Sequence, residues 1–126
     1  MSIIKNYQEI INSKIEKIRI QGTPNELYDP INYILNLKSK RVRPILSLLS
    51  YSLFKDNIDK ITEPSIALEF FHNFTLIHDD IMDNADIRRG EDTIHKKWNN
   101  NIGILSGDLL MTVSYTHLTL PTSQLV

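Results

Sequence analysis

Apolar residues recur at three- and four-residue spacing through most of this chain, and that period admits helices and little else. In the first segment Ile3, Ile4, Tyr7, Ile10, Ile11, Ile15 and Ile18 form one stripe, predicting an amphipathic helix closed near Gly22. Thr23-Pro24-Asn25-Glu26 reads as a helix start, with Pro at the first helical position and Glu three residues after the cap. Asp29-Pro30 marks a second start, with Ile31, Ile34 and Leu35 as its stripe. Pro44 opens another helix through Leu46, Leu48, Leu49 and Leu53, and Thr62-Glu63-Pro64 opens a long one that runs through Ala67 to Ile77. No segment reads as a strand, no repeat is present, and Asn99-Asn100-Asn101 is a short polar turn. The fold class expected is all-α, a layer of a helical bundle, with most Leu, Ile and Phe residues serving only its core.

Where the long helix ends, the composition changes abruptly. Asp79-Asp80-Ile81-Met82-Asp83 is followed by Arg88-Arg89-Gly90, so three carboxylates and two guanidiniums share one short segment. On a helix, Asp79 and Asp83 are four apart and Asp80 and Asp83 three apart, predicting that all three point to one side of the C-terminal end. Mutual repulsion and the negative end of the helix dipole both oppose such crowding. A divalent cation relieves both, and hard oxygen ligands favour Mg²⁺, Mn²⁺ or Ca²⁺. Mg²⁺ commonly takes one or two carboxylates and completes its shell with water and phosphate oxygens, so the pattern points to a metal bridge to a polyphosphate. An EF-hand loop is excluded, because Ala85 and the late Gly90 break its alternation of Asp and Asn and its sixth-position Gly.

The remaining composition narrows the function classes. With 126 residues, 41% hydrophobic content, 23% charged residues and a net charge of −1, the chain has ordinary globular values and no bulk charge that invites nucleic acid or membrane. It has no cysteine, hence no disulfide framework and no thiolate metal site. No stretch approaches the roughly 18 apolar residues of a membrane span, and the first residues lack a signal-peptide pattern; the compartment expected is the cytoplasm. The basic run from Lys38 to Arg43 has no interleaved aromatics, which argues against a nucleic-acid patch.

The string D-D-x-x-D-x-x-x-x-R-R-G closely resembles the first aspartate-rich motif of the trans-isoprenyl diphosphate synthases, the polyprenyl synthetase family. Other landmarks follow in order: Lys40-Arg41-Val42-Arg43-Pro44 looks like the family's G-G-K-x-x-R-P, His72 lies seven residues before Asp79, and Gly107-Asp108-Leu109-Leu110 matches G-D-x-L. The likeness spans residues 24 to 112. Lys38-Ser39 replaces the usual two glycines, so a less tightly folded loop is expected before Lys40.

This resemblance implies the N-terminal part of an isoprenoid-synthase bundle and a Mg²⁺-dependent prenyltransferase, with Mn²⁺ as substitute. An allylic diphosphate ionises, isopentenyl diphosphate attacks, and a proton is lost. Asp79, Asp80 and Asp83 would hold metal, Arg88 would bind the leaving diphosphate, and Lys40, Arg43, His72 and Arg89 would bind the diphosphate that stays intact. His78 would stand behind them. Phe74 and Thr75, the fifth and fourth residues before Asp79, would set product length, the aromatic favouring a fifteen- or twenty-carbon product. A homodimer is implied as the full-length state. A terpene cyclase needs no second diphosphate site, and a non-catalytic subunit of a heteromeric synthase would keep the helices while losing one metal cluster.

The C-terminal segment reads differently. Val113 to Thr122 is rich in β-branched residues, lacks a helical stripe and contains Pro121. It resembles one reading frame of a transposase-type sequencing adapter. Residues 1–112 are therefore expected to be the front of a longer synthase domain, inactive alone, and 113–126 a non-native tail.

Overall fold

The computed structural model describes residues 2–18 and 20–123, the last five as backbone alone. In order the elements are α1 (Ile3–Lys17), α2 (Asn25–Asn36), α3 (Val42–Ser52), α4 (Asp59–Met82), β1 (Ile87–Arg88), β2 (Glu91–Asp92), α5 (Ile94–Lys97) and α6 (Asn100–Ser123). The all-α expectation holds, apart from one hairpin that no sequence pattern announced.

Helix starts depart from the proline-based reading. Ser2 caps α1 by accepting from the Lys5 amide at 3.2 Å. In α2, Pro24 occupies the cap position, and the helix continues unbroken through Pro30. In α4, Asn57 Oδ1 accepts the Asp59 amide at 3.0 Å, so the helix begins three residues before Thr62 and carries Pro64 in its second turn. Both internal prolines are tolerated for one reason. The carbonyls deprived of an N–H belong to Glu26 and Lys60, which are exposed. The stripes also shift: α3 buries Pro44, Ile45 and Leu48 and leaves Leu46 and Leu53 exposed, while in α1 Ile3 and Ile4 face solvent and Tyr7, Ile11 and Ile15 are buried.

α4 lies along α6 in the most extensive helix contact, with α3 on another side of α4 and α2 against α6. Ile11, Ile31, Leu48, Ile66, Phe70, Ile77 and Leu110 form the fully buried centre of one core. Close approach of α6 to the end of α4 depends on two glycines one turn apart. A Cβ at Gly103 would stand 2.8 Å from Ile81 Cδ1, and one at Gly107 would stand 2.6 Å from His78 Nε2. His78 thereby reaches across and donates from Nε2 to the Ile104 carbonyl at 3.1 Å.

The helix α6 continues to Ser123, against the expectation that helicity fails after Val113. Its described side chains find partners: Val113 packs on the core, Ser114 is buried, and His117 meets the Phe70 ring edge-on at 5.3 Å and Glu63 at 2.8 Å. Tertiary packing outweighs the modest helix propensity of the β-branched residues.

Candidate active site

The C-terminus of α4 closes with a Schellman motif, in which Ala85 N donates to Asp80 O at 2.9 Å and Asn84 N donates to Ile81 O at 3.2 Å. Asn84 supplies the left-handed residue at φ 53°. The chain then turns back as the β1–β2 hairpin, pairing Ile87 with Asp92 and Arg88 with Glu91. Its two turn residues, Arg89 at φ 54° and Gly90 at φ 81°, both have positive φ, as primed hairpin turns require. Thr93 fastens the hairpin base by donating from Oγ1 to Ala85 O at 2.8 Å, and Tyr33 on α2 donates to Asp92 O at 2.8 Å. This return brings Arg88 onto the helix it has just left.

The three aspartates consequently do not act alike. Asp80 is buried and receives a two-pronged contact from Arg88, Nη2 at 2.6 Å and Nε at 3.0 Å. Its hydrogen bond to Asp80 raises the Arg88 pKa above the ordinary value against the opposing effect of burial. Asp79 and Asp83 are exposed at the helix end, and among the described residues their carboxylates make no hydrogen bond or ion pair. The expectation of three carboxylates gathered on one side is therefore corrected, because Asp80 is rotated inward by one residue's helical step from Asp79. Among the described residues no group of three or more His, Cys, Asp or Glu side chains is placed to hold a metal. The donor set that is left, two unengaged carboxylates one turn apart, still suits a hard cation that fills its shell with water and ligand oxygens.

A second cluster flanks the same helix. Arg43, in the first turn of α3, donates from Nη1 to His72 Nε2 at 3.2 Å. As a guanidinium only donates, the imidazole is neutral with its proton on Nδ1. Burial chiefly, then the positive charge of Arg43, holds the His72 pKa below the ordinary histidine value, with Arg89 and Arg88 adding to the effect and Glu69 opposing it. Arg89 donates to the Ile34 carbonyl at 3.4 Å, and burial lowers its pKa from the ordinary arginine value. Among the described residues neither Arg43 nor Arg89 has a carboxylate partner. Lys40 is exposed, and its backbone carbonyl accepts from Gln8 Nε2 at 3.3 Å. Its ammonium has no described partner. Arg43, His72 and Arg89 are thus gathered, while Lys40 stands at the edge.

Phe74 is half-buried against the core, edge-on to Phe71 at 5.4 Å and to His78 at 4.8 Å. The Thr75 hydroxyl donates to the His72 carbonyl at 2.6 Å. His78 also comes within 3.5 Å of Asp108, which ties the G-D-x-L segment to the residue preceding Asp79.

Two residues escaped the sequence reading. Arg41 reads as a spacer within K-x-x-R-P, yet it is 4% exposed and bonds to Glu69, 1% exposed, at 2.7 Å. Its Nη2 donates to Leu35 O at 2.6 Å and its Nε to Asn12 Oδ1 at 3.0 Å. A lone carboxylate in the apolar run Ile66 to Phe71 was the available signal, since such a residue is buried only with a partner. The loop before Lys40 is also better fastened than expected without its glycines, because Ser39 Oγ accepts the Arg41 amide at 3.3 Å.

The sequence profile of the polyprenyl synthetase family matches residues 24–124. Geranylgeranyl diphosphate synthase of Methanosarcina mazei is 38% identical over 112 residues, covering 89% of this chain and 35% of that protein. Geranylgeranyl pyrophosphate synthase of Geoglobus acetivorans is 37% identical over 118 residues, covering 94% of this chain and 37% of that protein. Its solved structure superposes with a TM-score of 0.89 at 37% identity, covering 94% of this chain and 39% of its own. Another geranylgeranyl pyrophosphate synthase crystal structure gives 0.87 at 43% identity, with 93% and 36% coverage. The chain spans little more than a third of the length of these relatives, and no helix of the described residues is long and apolar enough to cross a membrane. With its helices, its aspartate–arginine hairpin and its matched span all in agreement, the chain belongs to the polyprenyl synthetase family.

Proposed function

We propose that this chain, completed to the length of its relatives, is a cytoplasmic, homodimeric prenyltransferase that condenses isopentenyl diphosphate head to tail with an allylic diphosphate. The observation that carries this reading is a division of charge. Among the described residues Asp79 and Asp83 are carboxylates without a cationic partner, and Arg43 and Arg89 beside His72 are cations without a carboxylate. A terpene cyclase has no use for the second set, which favours the synthase. A non-catalytic subunit remains the reading if the remainder of the domain lacks a second aspartate cluster.

Asp79 and Asp83, with Asp80 behind them, would hold Mg²⁺, which would supply Lewis-acid neutralisation of the departing diphosphate. Asp80 occupies two N–H groups of Arg88, which leaves three of its five donors for the same diphosphate. Asp80 thereby aims Arg88, which stabilises charge as it develops. Arg43, His72, Arg89 and the exposed Lys40 bind the diphosphate that stays intact, without a metal to activate it. Phe74 closes the floor of the product cavity, consistent with a fifteen- or twenty-carbon product, and Thr75 lies beside it. With only one aspartate cluster, the 126-residue chain alone is inactive. The segment 113–126 is foreign to the enzyme on this reading, despite the helical backbone of its residues up to Ser123.

The test is a chimera in which residues 1–112 replace the corresponding part of the Methanosarcina mazei synthase. Asp79→Ala and Asp83→Ala should each abolish Mg²⁺-dependent turnover with the fold intact, while Arg43→Ala should chiefly raise KM for isopentenyl diphosphate. Turnover at the unsubstituted rate in either aspartate variant would sink the assignment.

A further inference from the structure

The loop that carries Lys40 and Arg43 and the helix that carries His72 are joined by a buried ion pair, Arg41 with Glu69. Arg41 directly follows Lys40 and precedes Arg43 by two residues, and Glu69 precedes His72 by three, one helical turn. The Arg41–Glu69 contact at 2.7 Å therefore spans the two walls of the intact-diphosphate site at one level. We propose that Arg41 and Glu69 are positioning residues for that site, fixing the separation of Arg43 from His72 so that both reach one phosphate group. This rests on the synthase reading above.

Further observations show that the strut is held at both ends. The Arg41 backbone sits at φ 54° and ψ 39°, a left-handed conformation that a residue with a side chain keeps only where its surroundings enforce it. Its carbonyl begins α3 by accepting the Ile45 amide at 3.1 Å, so the angle at Arg41 sets the direction in which Arg43 leaves the first turn. Its remaining donors tie the loop to α1 through Asn12 and to α2 through Leu35. At the other end, Glu69 stands near the middle of the 24-residue helix α4 and is 1% exposed. The negative charge of Glu69 also reaches His72 and Arg89. Shortening the strut moves Arg43 relative to His72 without touching either.

The experiment uses the 126-residue chain, with inorganic pyrophosphate as probe and EDTA present so that the aspartate end contributes no metal. Calorimetry gives the dissociation constant at a temperature where circular dichroism shows each variant fully folded, so a loss of stability alone leaves the constant unchanged. Arg41→Lys keeps the charge but loses the fork, and the paired change Arg41→Met with Glu69→Leu removes both charges together, avoiding an orphaned ion. Both are expected to weaken pyrophosphate binding about tenfold, the effect of roughly one charge-assisted hydrogen bond, and Arg43→Ala is expected to do the same. Should the paired variant fail to fold, Arg41→Lys decides. Full affinity in the folded strut variants together with loss in Arg43→Ala overturns the positioning role and leaves the site standing. No binding by the unsubstituted chain, or no loss in Arg43→Ala, overturns the site itself.

Discussion

Two arginine–carboxylate pairs of almost the same length brace α4, and they differ in what surrounds them. Arg41 and Glu69, at 2.7 Å, are 4% and 1% exposed, and the Arg41 fork is also bound by Leu35 and Asn12. Arg88 and Asp80, at 2.6 Å, are 30% and 7% exposed, and Arg88 keeps donors free on its open side. Enclosure turns the first pair into a fixed member, because separating it strands a charge in a medium that cannot solvate it. The second pair has water within reach of its cation and so acts as an adjustable bracket. Position in the fold, rather than bond length, separates structure from chemistry here.

The largest expected effect comes from breaking the enclosed pair from its acidic side. Glu69→Ala leaves Arg41 buried and unpaired and should cost about 3–5 kcal/mol in urea unfolding, whereas Asp80→Ala, which lets Arg88 turn to solvent, should cost about 1–2 kcal/mol. Equal losses would erase the distinction. Next, in the chimera, Asp80→Ala should reduce kcat on the order of 100-fold with little change in KM for isopentenyl diphosphate, since an unaimed Arg88 stabilises the leaving group poorly. A shift confined to KM would move Arg88 to the other substrate. Smaller again is Phe74→Ala, which touches neither pair. It should lengthen the product and cost about 1–2 kcal/mol, below the range for a fully buried phenylalanine because Phe74 is only half-buried; unchanged products would assign it to packing alone.

The smallest effect concerns pH. His72 is held below the ordinary histidine pKa chiefly by burial and by Arg43, so the folded state binds fewer protons than the unfolded one in that range. Stability should therefore be level above the ordinary histidine pKa and decline as pH falls from it through the lowered folded value. His72→Gln should remove that slope. Glu69 opposes the shift, so Glu69→Gln should lower the His72 titration midpoint further in an NMR titration; an unchanged midpoint would mean that the Glu69 charge does not reach this site.

The helices were legible because burial on one face imposes their period, although the second start expected at Asp29-Pro30 is an interior turn of α2. Their edges were less legible, since Pro30 and Pro64 punctuate the sequence without breaking the backbone wherever the orphaned carbonyl meets water. The hairpin went unseen because strands of two residues carry no alternation. At the site, spacing grouped the three aspartates and the family resemblance added Arg43 and His72, but spacing along a helix cannot say that Asp80 turns inward to meet an arginine eight residues on. Arg41 was invisible for the opposite reason. Its partner lies 28 residues away on another helix, and only the unexplained charge of Glu69 hinted at it.

Gly107 contributes no side chain, and that absence works as a gauge. His78 occupies the space a methyl group would fill, 2.6 Å from where its carbon would stand, and His78 is the residue immediately before Asp79. A methyl group at position 107 would displace the His78 ring and with it the hydrogen bond to Ile104, so position 107 governs the neighbour of Asp79 from a different helix without touching the aspartate itself.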